Sequence, residues 1–214
     1  MEPVSEKLLP EQRQKYVLEH IPYRIAAVNR FLDILIWPPD LTQKTTIPGQ
    51  QSLTIPVYAI TNAFIEHGLV SCRSLLNVLG IRATGKKSPT PELHFSSTGN
   101  EPDDITISDL GCELIGERDV RELFPYDFEN VCKACLDIIR VTDKAVAHFT
   151  MATLPEMWQK TFLICVVMIL KLFRDQVNPC LAQLGTLDGA KISEEHFYHL
   201  PRLEEWILQS RVSV

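Results

Sequence analysis

The apolar residues of this chain recur at the helical period in several long segments, and this pattern constrains the fold more than any other feature. In EQRQKYVLEHIPYRIAAVNRFLDILIW they stand at positions 17, 21, 25, 28, 32 and 35, a spacing that places them on one helix face. Pro22 lies inside the pattern and lacks a backbone donor, so it predicts a kink or a late helix start. The following WPPD ends the element.

Three further segments extend the helical pattern. A second helix is predicted from near Pro56, a residue suited to a first turn, to Gly80, a residue suited to a C-cap. A third is predicted from Asp127 to about Thr150. A fourth opens at TLPEMW, continues through the apolar run FLICVVMIL and reaches about Val177. That run is nine residues long, whereas a bilayer span needs about 20, so it predicts a buried core helix.

The resulting fold class is all-α, a bundle of four long helices with a short C-terminal helix at RLEEWILQSRV. Residues 1–10 are expected to form a flexible tail, and residues 11–214 a single helical domain. The segment 83–104 is rich in loop-forming residues and reads as an insertion. Because ELHF and ITIS alternate apolar and polar residues, a small β-hairpin is expected near 92–108. Residues 38–54 read as a connection.

Charge and cysteine content narrow the function classes. The formal net charge of −6 argues against a broad basic face for nucleic acid. The first residues, MEPVSEKLLPEQRQ, contain no apolar stretch of a secretory signal. The six cysteines are scattered, and without an export signal they are expected to be reduced and to pack as small apolar groups. These features predict a cytoplasmic protein with no membrane contact.

Two polar stripes carry the candidate chemistry. At about 100° per residue, the third helix aligns one stripe: Asp137, Arg140, Lys144 and His148, extended by Lys133. The second helix aligns another, with His67 and Ser74 beside it: Asn62, Glu66, Arg73 and Asn77. Both stripes are typical of solvated helix faces. Alternatively they meet across a groove or a dimer axis and form a polar site from Glu66, Arg73, Arg140 and His148.

The segments AFIEHGLVSCRSLLNVLG, DDITISDLG and DIIRVTDKAVAHFT resemble HEPN-type helical proteins over roughly residues 56–150. The resemblance implies a helical bundle that often dimerises and, in catalytic members, metal-independent RNA cleavage. It makes His148 the general acid/base and Arg140 the cation that stabilises the phosphate, with Arg73 as a substitute. Here seven residues separate Arg140 from His148, whereas the family has four to six, and Val141 replaces a polar residue.

Three shorter motifs allow a functional and a structural interpretation. CKAC has the C-x-x-C spacing of metal and redox sites, but on a helix Cys132 and Cys135 share a face and are expected to pack in the core. EEHFYHL could offer His196 and His199 to a metal, or be a solvated turn. The acidic residues of PDDITISDLG suit either Mg²⁺ or the capping of a turn.

These observations favour a non-catalytic helical interaction or regulatory protein, HEPN-like and self-associating, in the cytoplasm. A HEPN-type metal-independent ribonuclease is the alternative. No cofactor or metal is predicted. The expected partner is a second copy or another protein, with RNA as the partner under the alternative.

Overall fold

The computed structural model describes residues 8–37, 39–40, 42–47, 53–84, 91–96, 104–145, 156–184 and 190–205. Its helical elements are α1 Pro10–Lys15, a first π-helical turn Tyr16–His20, α2 Ile21–Ile36, α3 Val57–Leu79, α4 Glu117–Leu123, α5 Phe128–Ala145, α6 Glu156–Leu172, a second π-helical turn Phe173–Val177, α7 Asn178–Gln183 and a 3₁₀ turn Glu194–Phe197. Residues 200–205 are also helical.

The long helices form a bundle around α3 and α6, which confirms the all-α fold class. Helix α3 packs against α2, α5 and α6, and α6 also packs against α2 and α5. Within the apolar run of α6, Phe162 and residues 165–170 are buried, as expected of a core helix. Among the helices that the structure describes, none is both long and apolar enough to cross a bilayer.

Helices α2 and α3 approach closely at Gly68. A Cβ atom built on Gly68 would lie 2.5 Å from the Cβ of Phe31, so glycine is the residue that permits this approach. Both predicted ends of α3 are confirmed. Pro56 precedes its first residue, and Gly80 caps its end with a left-handed φ of 80°, a conformation that glycine adopts without a steric cost.

The two π-helical turns each precede a proline. Ile21 donates its backbone N–H to the Tyr16 carbonyl, five residues earlier, immediately before Pro22. Asn178 donates in the same way to Phe173, immediately before Pro179. The wider turn moves the carbonyls relative to a ring that would clash in a regular helix. Pro22 therefore produces a π-helical turn inside a continuous helix. The predicted helix end near Val177 was wrong, because the chain continues directly into α7.

Two antiparallel hairpins lie beside the bundle. Strand β1 Lys44–Ile47 pairs with β2 Leu53–Pro56, and β3 Arg82–Thr84 pairs with β4 Glu92–His94. The first hairpin occupies a segment that was predicted to be a connection. The second confirms a small hairpin that includes ELHF, but its other strand is Arg82–Thr84. The residues of ITIS lie in coil and turn instead.

One cysteine pair corrects the expectation of six reduced thiols. Cys112 and Cys180 form a disulfide with their Cα atoms 5.9 Å apart, and it joins the segment before α4 to α7. The CKAC cysteines are not bonded to each other: Cys135 is buried, with its sulfur 3.9 Å from that of Cys165, and Cys132 is half-buried. Burial raises the pKa of Cys132 to about 12, so core packing is the role that the structure supports for this pair.

Candidate interaction site

The C-terminal segment 190–205 is held against the bundle by buried polar contacts. Asn29 in α2 donates its side-chain amide to the His196 carbonyl at 2.9 Å. Asn178 in α7 bonds Ile192 twice, donating to its carbonyl at 2.9 Å and accepting from its amide at 3.0 Å. The two asparagine side chains satisfy backbone groups of the segment that would otherwise be buried without a partner. These bonds fix the path of the segment across the end of α2.

A buried histidine forms the centre of this contact. His199 is 2% exposed, and its Nε2 lies 3.0 Å from Oδ1 of Asp33 in α2. An ionised carboxylate only accepts hydrogen bonds, so Nε2 carries the proton and donates. The Tyr198 hydroxyl reaches the other Asp33 oxygen at 3.4 Å, and Arg30 lies 3.8 Å from it. Asp33 therefore links α2 to two consecutive residues of the C-terminal segment.

Burial determines the charge state of the histidine. It lowers the pKa of His199 below its usual value, although the charge and hydrogen bond of Asp33 oppose the shift, and Arg202 adds to the lowering. The ring is consequently neutral near pH 7. Burial, together with Asp33, raises the pKa of Tyr198, which keeps its hydroxyl protonated and able to donate.

Aromatic and cationic side chains surround the Asp33–His199 pair at the surface. Trp37 is 56% and Tyr198 54% exposed, and their rings lie 6.5 Å and 4.1 Å from the His199 ring. The Arg202 guanidinium lies 6.0 Å from the centre of the Trp37 ring. We call this surface the aromatic patch, defined by four residues: Arg30, Trp37, Tyr198 and Arg202. Its composition is that of the centre of a protein interface.

The stripe predicted on the third helix is only partly described. Arg140 is exposed on α5, and Lys133 pairs with Asp137 at 2.8 Å on the same helix. His148 lies outside the described residues, and nothing is described of the Lys144 side chain. The described part of this stripe thus faces solvent, as amphipathic helices commonly do.

The stripe on α3 is half-buried. Glu66 and Arg73 are each partly covered, and His67 packs its ring 5.2 Å from that of Tyr23 in α2. Burial lowers the pKa of His67, and the positive charge of Arg24 adds to this effect. Asn77 lines a cavity with residues of the first helical segment. At these positions the α3 stripe therefore faces the segment that contains α1 and α2.

The two short acidic and histidine motifs have structural roles. His199 is buried against Asp33, so the interpretation of its segment as a solvated turn was wrong for this residue. Asp109 caps a turn by accepting from the Thr106 amide at 2.8 Å, and Asp104 pairs with Arg82 at 2.8 Å. Asp103 lies outside the described residues. Among the residues that are described, no group of three metal-ligating side chains occurs.

Sequence reasoning missed the aromatic patch because it combines two distant segments. One signal could have indicated it. Phe197, Leu200 and Leu203 recur every three residues and are buried, a pattern that marks the C-terminal segment as packed on a core. A histidine inside such a segment is then expected to need a buried partner.

Comparison with known proteins identifies no relative. No protein-family model matches the chain, no curated protein matches it, and no solved structure matches it. The fold is that of a helical-bundle protein, and the aromatic patch is its candidate interaction site. The resemblance to HEPN-type proteins stays a prediction.

Proposed function

We propose that this chain is a non-catalytic helical interaction protein, HEPN-like and regulatory, that self-associates through the aromatic patch. One observation carries the proposal: Trp37 and Tyr198 remain more than half exposed on a framework that buried hydrogen bonds hold in place. Large apolar side chains in water gain about 1.5–3 kcal/mol when they become fully buried. Trp, Tyr and Arg are also the types that contribute most at interface centres.

The charges near the aromatic patch support a second copy of the chain as the partner. The patch contains two arginines, Arg30 and Arg202, although the chain as a whole has a net charge of −6. Glu194 and Glu195 are exposed in the 3₁₀ turn that packs against α2. In a two-fold interface each contact occurs twice with the roles exchanged. We expect the arginines of one copy to pair with the glutamates of the other, which would make the surface self-complementary.

Light scattering of the purified chain tests this proposal. We expect the wild type to dimerise, and Trp37→Ala to weaken the dimer by about 30-fold or more, because truncating a central tryptophan costs about 2 kcal/mol or more. Tyr126→Ala is the matched control, since Tyr126 is 88% exposed in the turn before α5. Circular dichroism verifies that each variant is folded.

Two results would contradict self-association through this surface. A wild type that stays monomeric across the concentration range sinks the proposal outright. If the Trp37→Ala variant remains folded and dimerises as tightly as the wild type, the dimer interface lies on another surface. Equal weakening by Tyr126→Ala would also count against the aromatic patch, because that residue is not part of it.

The ribonuclease alternative makes a separate claim about the α3 and α5 stripes. It requires His148 to reach an arginine, Arg140 or Arg73, within one polar site and to move the proton of a ribose hydroxyl. The packing of α3 against α5 is the observation that favours it. RNA cleavage assayed on wild type and His148→Ala separates this alternative from the interaction proposal.

The cytoplasmic location also stays a proposal. The Cys112–Cys180 bond weighs against it, since disulfides are rare in the cytosol, where thiols are kept reduced. Alkylation of thiols in intact cells tests the location, because a cytoplasmic chain is expected to have both cysteines reduced and reactive after denaturation.

A further inference from the structure

A second polar site lies between the first helical segment and α3, in a cavity of about 270 Å³. Tyr16, His20 and Arg24 line one wall at intervals of four residues, and the first π-helical turn supplies the first two of them. The opposite wall is α3, which contributes Ser74 and Asn77. The Tyr16 and His20 rings lie 5.3 Å apart on this wall, as residues four apart on one helix face do.

Several side chains of this cavity have hydrogen-bonding capacity to spare. Within the part of the chain that the structure describes, the side chains of Tyr16, Arg24 and Asn77 make no hydrogen bond to protein. Burial raises the pKa of Tyr16; the positive charge of Arg24 opposes this shift, and the charges of Asp109 and Asp104 add to it. The hydroxyl therefore stays protonated and can donate. Ser74 already donates its proton to the Val70 carbonyl at 2.9 Å, which leaves its oxygen as an acceptor.

The charges of the cavity are unequal. Asp104 lines it, but this carboxylate pairs with Arg82 at 2.8 Å, and the two side chains are only 28% and 15% exposed. Arg24, by contrast, has no carboxylate at ion-pair distance among the described residues. Arg82 nearly neutralises the charge of Asp104, so Arg24 provides the net charge of the site.

We propose that this cavity binds a small carboxylate that also carries a hydroxyl or amino group. The carboxylate pairs with Arg24 and accepts from Tyr16 and Asn77, because a charge-assisted pair flanked by neutral donors suits a monoanion. The hydroxyl or amino group donates to Ser74. The single net positive charge of Arg24 favours a monoanion over a dianion. The volume lies just below the range for drug-sized ligands, about 300–1,000 Å³, which fits a compound of amino-acid or hydroxy-acid size.

Isothermal titration calorimetry on the full chain tests the site with L-serine, L-lactate and inorganic phosphate as probes. We expect serine or lactate to bind, and Arg24→Gln to weaken that binding at least tenfold. Tyr16→Phe removes one hydroxyl and keeps the ring, so we expect a several-fold loss. Arg118→Gln is the matched control, because Arg118 is exposed on α4 and, among the described residues, pairs with Glu122 of the same helix at 3.3 Å.

The outcomes separate cleanly. Binding of serine or lactate that Arg24→Gln loses and Arg118→Gln keeps supports the proposal. Equal affinity in Arg24→Gln and wild type, or binding of phosphate without either organic acid, overturns the assignment. Absence of heat with all three probes overturns it too. Light scattering on Arg24→Gln is run in parallel, and we expect its oligomeric state to match the wild type, which keeps this site independent of the aromatic patch.

Discussion

The contact between Asp33 and His199 offers the sharpest test of how the candidate interface is built. Asp33→Ala removes the carboxylate that accepts from the buried ring at 3.0 Å. His199 is 2% exposed, so water cannot replace the lost acceptor without opening the structure. We therefore expect the free energy of unfolding to fall by about 1–3 kcal/mol, the cost of leaving a buried polar group unsatisfied.

The other contacts of Asp33 add little to this value. The Tyr198 hydroxyl bond is long, at 3.4 Å, and exposed. Arg30 lies 3.8 Å away with most of its side chain in solvent, and such surface pairs contribute about 0–1 kcal/mol. The matched control is Asp137→Ala, which removes an aspartate from a helical i,i+4 pair with Lys133. That pair is expected to contribute about 0.2–0.5 kcal/mol, and both variants gain the same helix propensity.

Urea denaturation followed by circular dichroism measures the loss of stability in Asp33→Ala and in Asp137→Ala. The dependence of stability on pH provides a second measurement. The pKa of His199 is lowered in the folded chain, whereas an unfolded histidine titrates near about 6.5. Between these values the unfolded chain binds more protons, so the free energy of unfolding falls as pH falls. Asp33→Ala removes the group that raises the pKa of His199. The difference in the free energy of unfolding between wild type and Asp33→Ala is therefore expected to be larger at about pH 5.5 than at about pH 7.5.

Two results would refute this reasoning. If Asp33→Ala destabilises the chain no more than Asp137→Ala does, the hydrogen bond to His199 contributes nothing beyond an ordinary surface pair. If the difference in the free energy of unfolding between wild type and Asp33→Ala becomes smaller on acidification, the charge of Asp33 does not act on the histidine. A double-mutant cycle with His199→Ala then apportions the coupling between the two side chains.

Three further predictions concern packing, redox state and catalysis. Gly68→Ala is expected to lower the free energy of unfolding by up to about 2 kcal/mol, because overpacking costs about 1–3 kcal/mol and the gain in helix propensity returns about 1. Urea denaturation measures the change, and a variant as stable as the wild type would contradict the close approach at Gly68. Maleimide labelling of the denatured, unreduced protein should find four reactive thiols, six cysteines less the bonded pair. Cys112→Ser should release Cys180 and give five, and six in the wild type would contradict the disulfide. Wild type should leave single-stranded and hairpin RNA intact, whereas cleavage that His148→Ala abolishes would favour the ribonuclease.

The fold was predictable where the determining signals are local. The start of α3 after Pro56 and its end at Gly80 follow from residues within one turn of each end, because a proline suits a helix start and a glycine suits a left-handed cap. The burial of Phe162 and its neighbours follows from the apolar run itself. The apolar residues of a helix recur at the helical period because one face of the helix packs against the core. This pattern is contained in the sequence of the helix itself.

The contacts that build the sites were not predictable, because they join residues far apart in the chain. Asp33 and His199 are 166 residues apart, and Cys112 and Cys180 are 68 apart. No local pattern determines which distant residue a buried polar group or a thiol will meet. The sequence correctly placed Asn77 on a polar stripe of α3. It could not indicate that the stripe at Asn77 faces the first helical segment.

In this molecule, prolines link a local sequence signal to the contacts between distant segments. Pro22 and Pro179 each follow a π-helical turn, Tyr16–His20 and Phe173–Val177, and each turn borders a cavity. The first borders the carboxylate site proposed here. The second borders a cavity of about 300 Å³ whose wall also includes the Cys112–Cys180 disulfide. A proline within a continuous helix shifts its hydrogen bonds by one residue. The same shift changes the register of the side chains before the proline relative to those after it, and in this chain a cavity lies beside each such point.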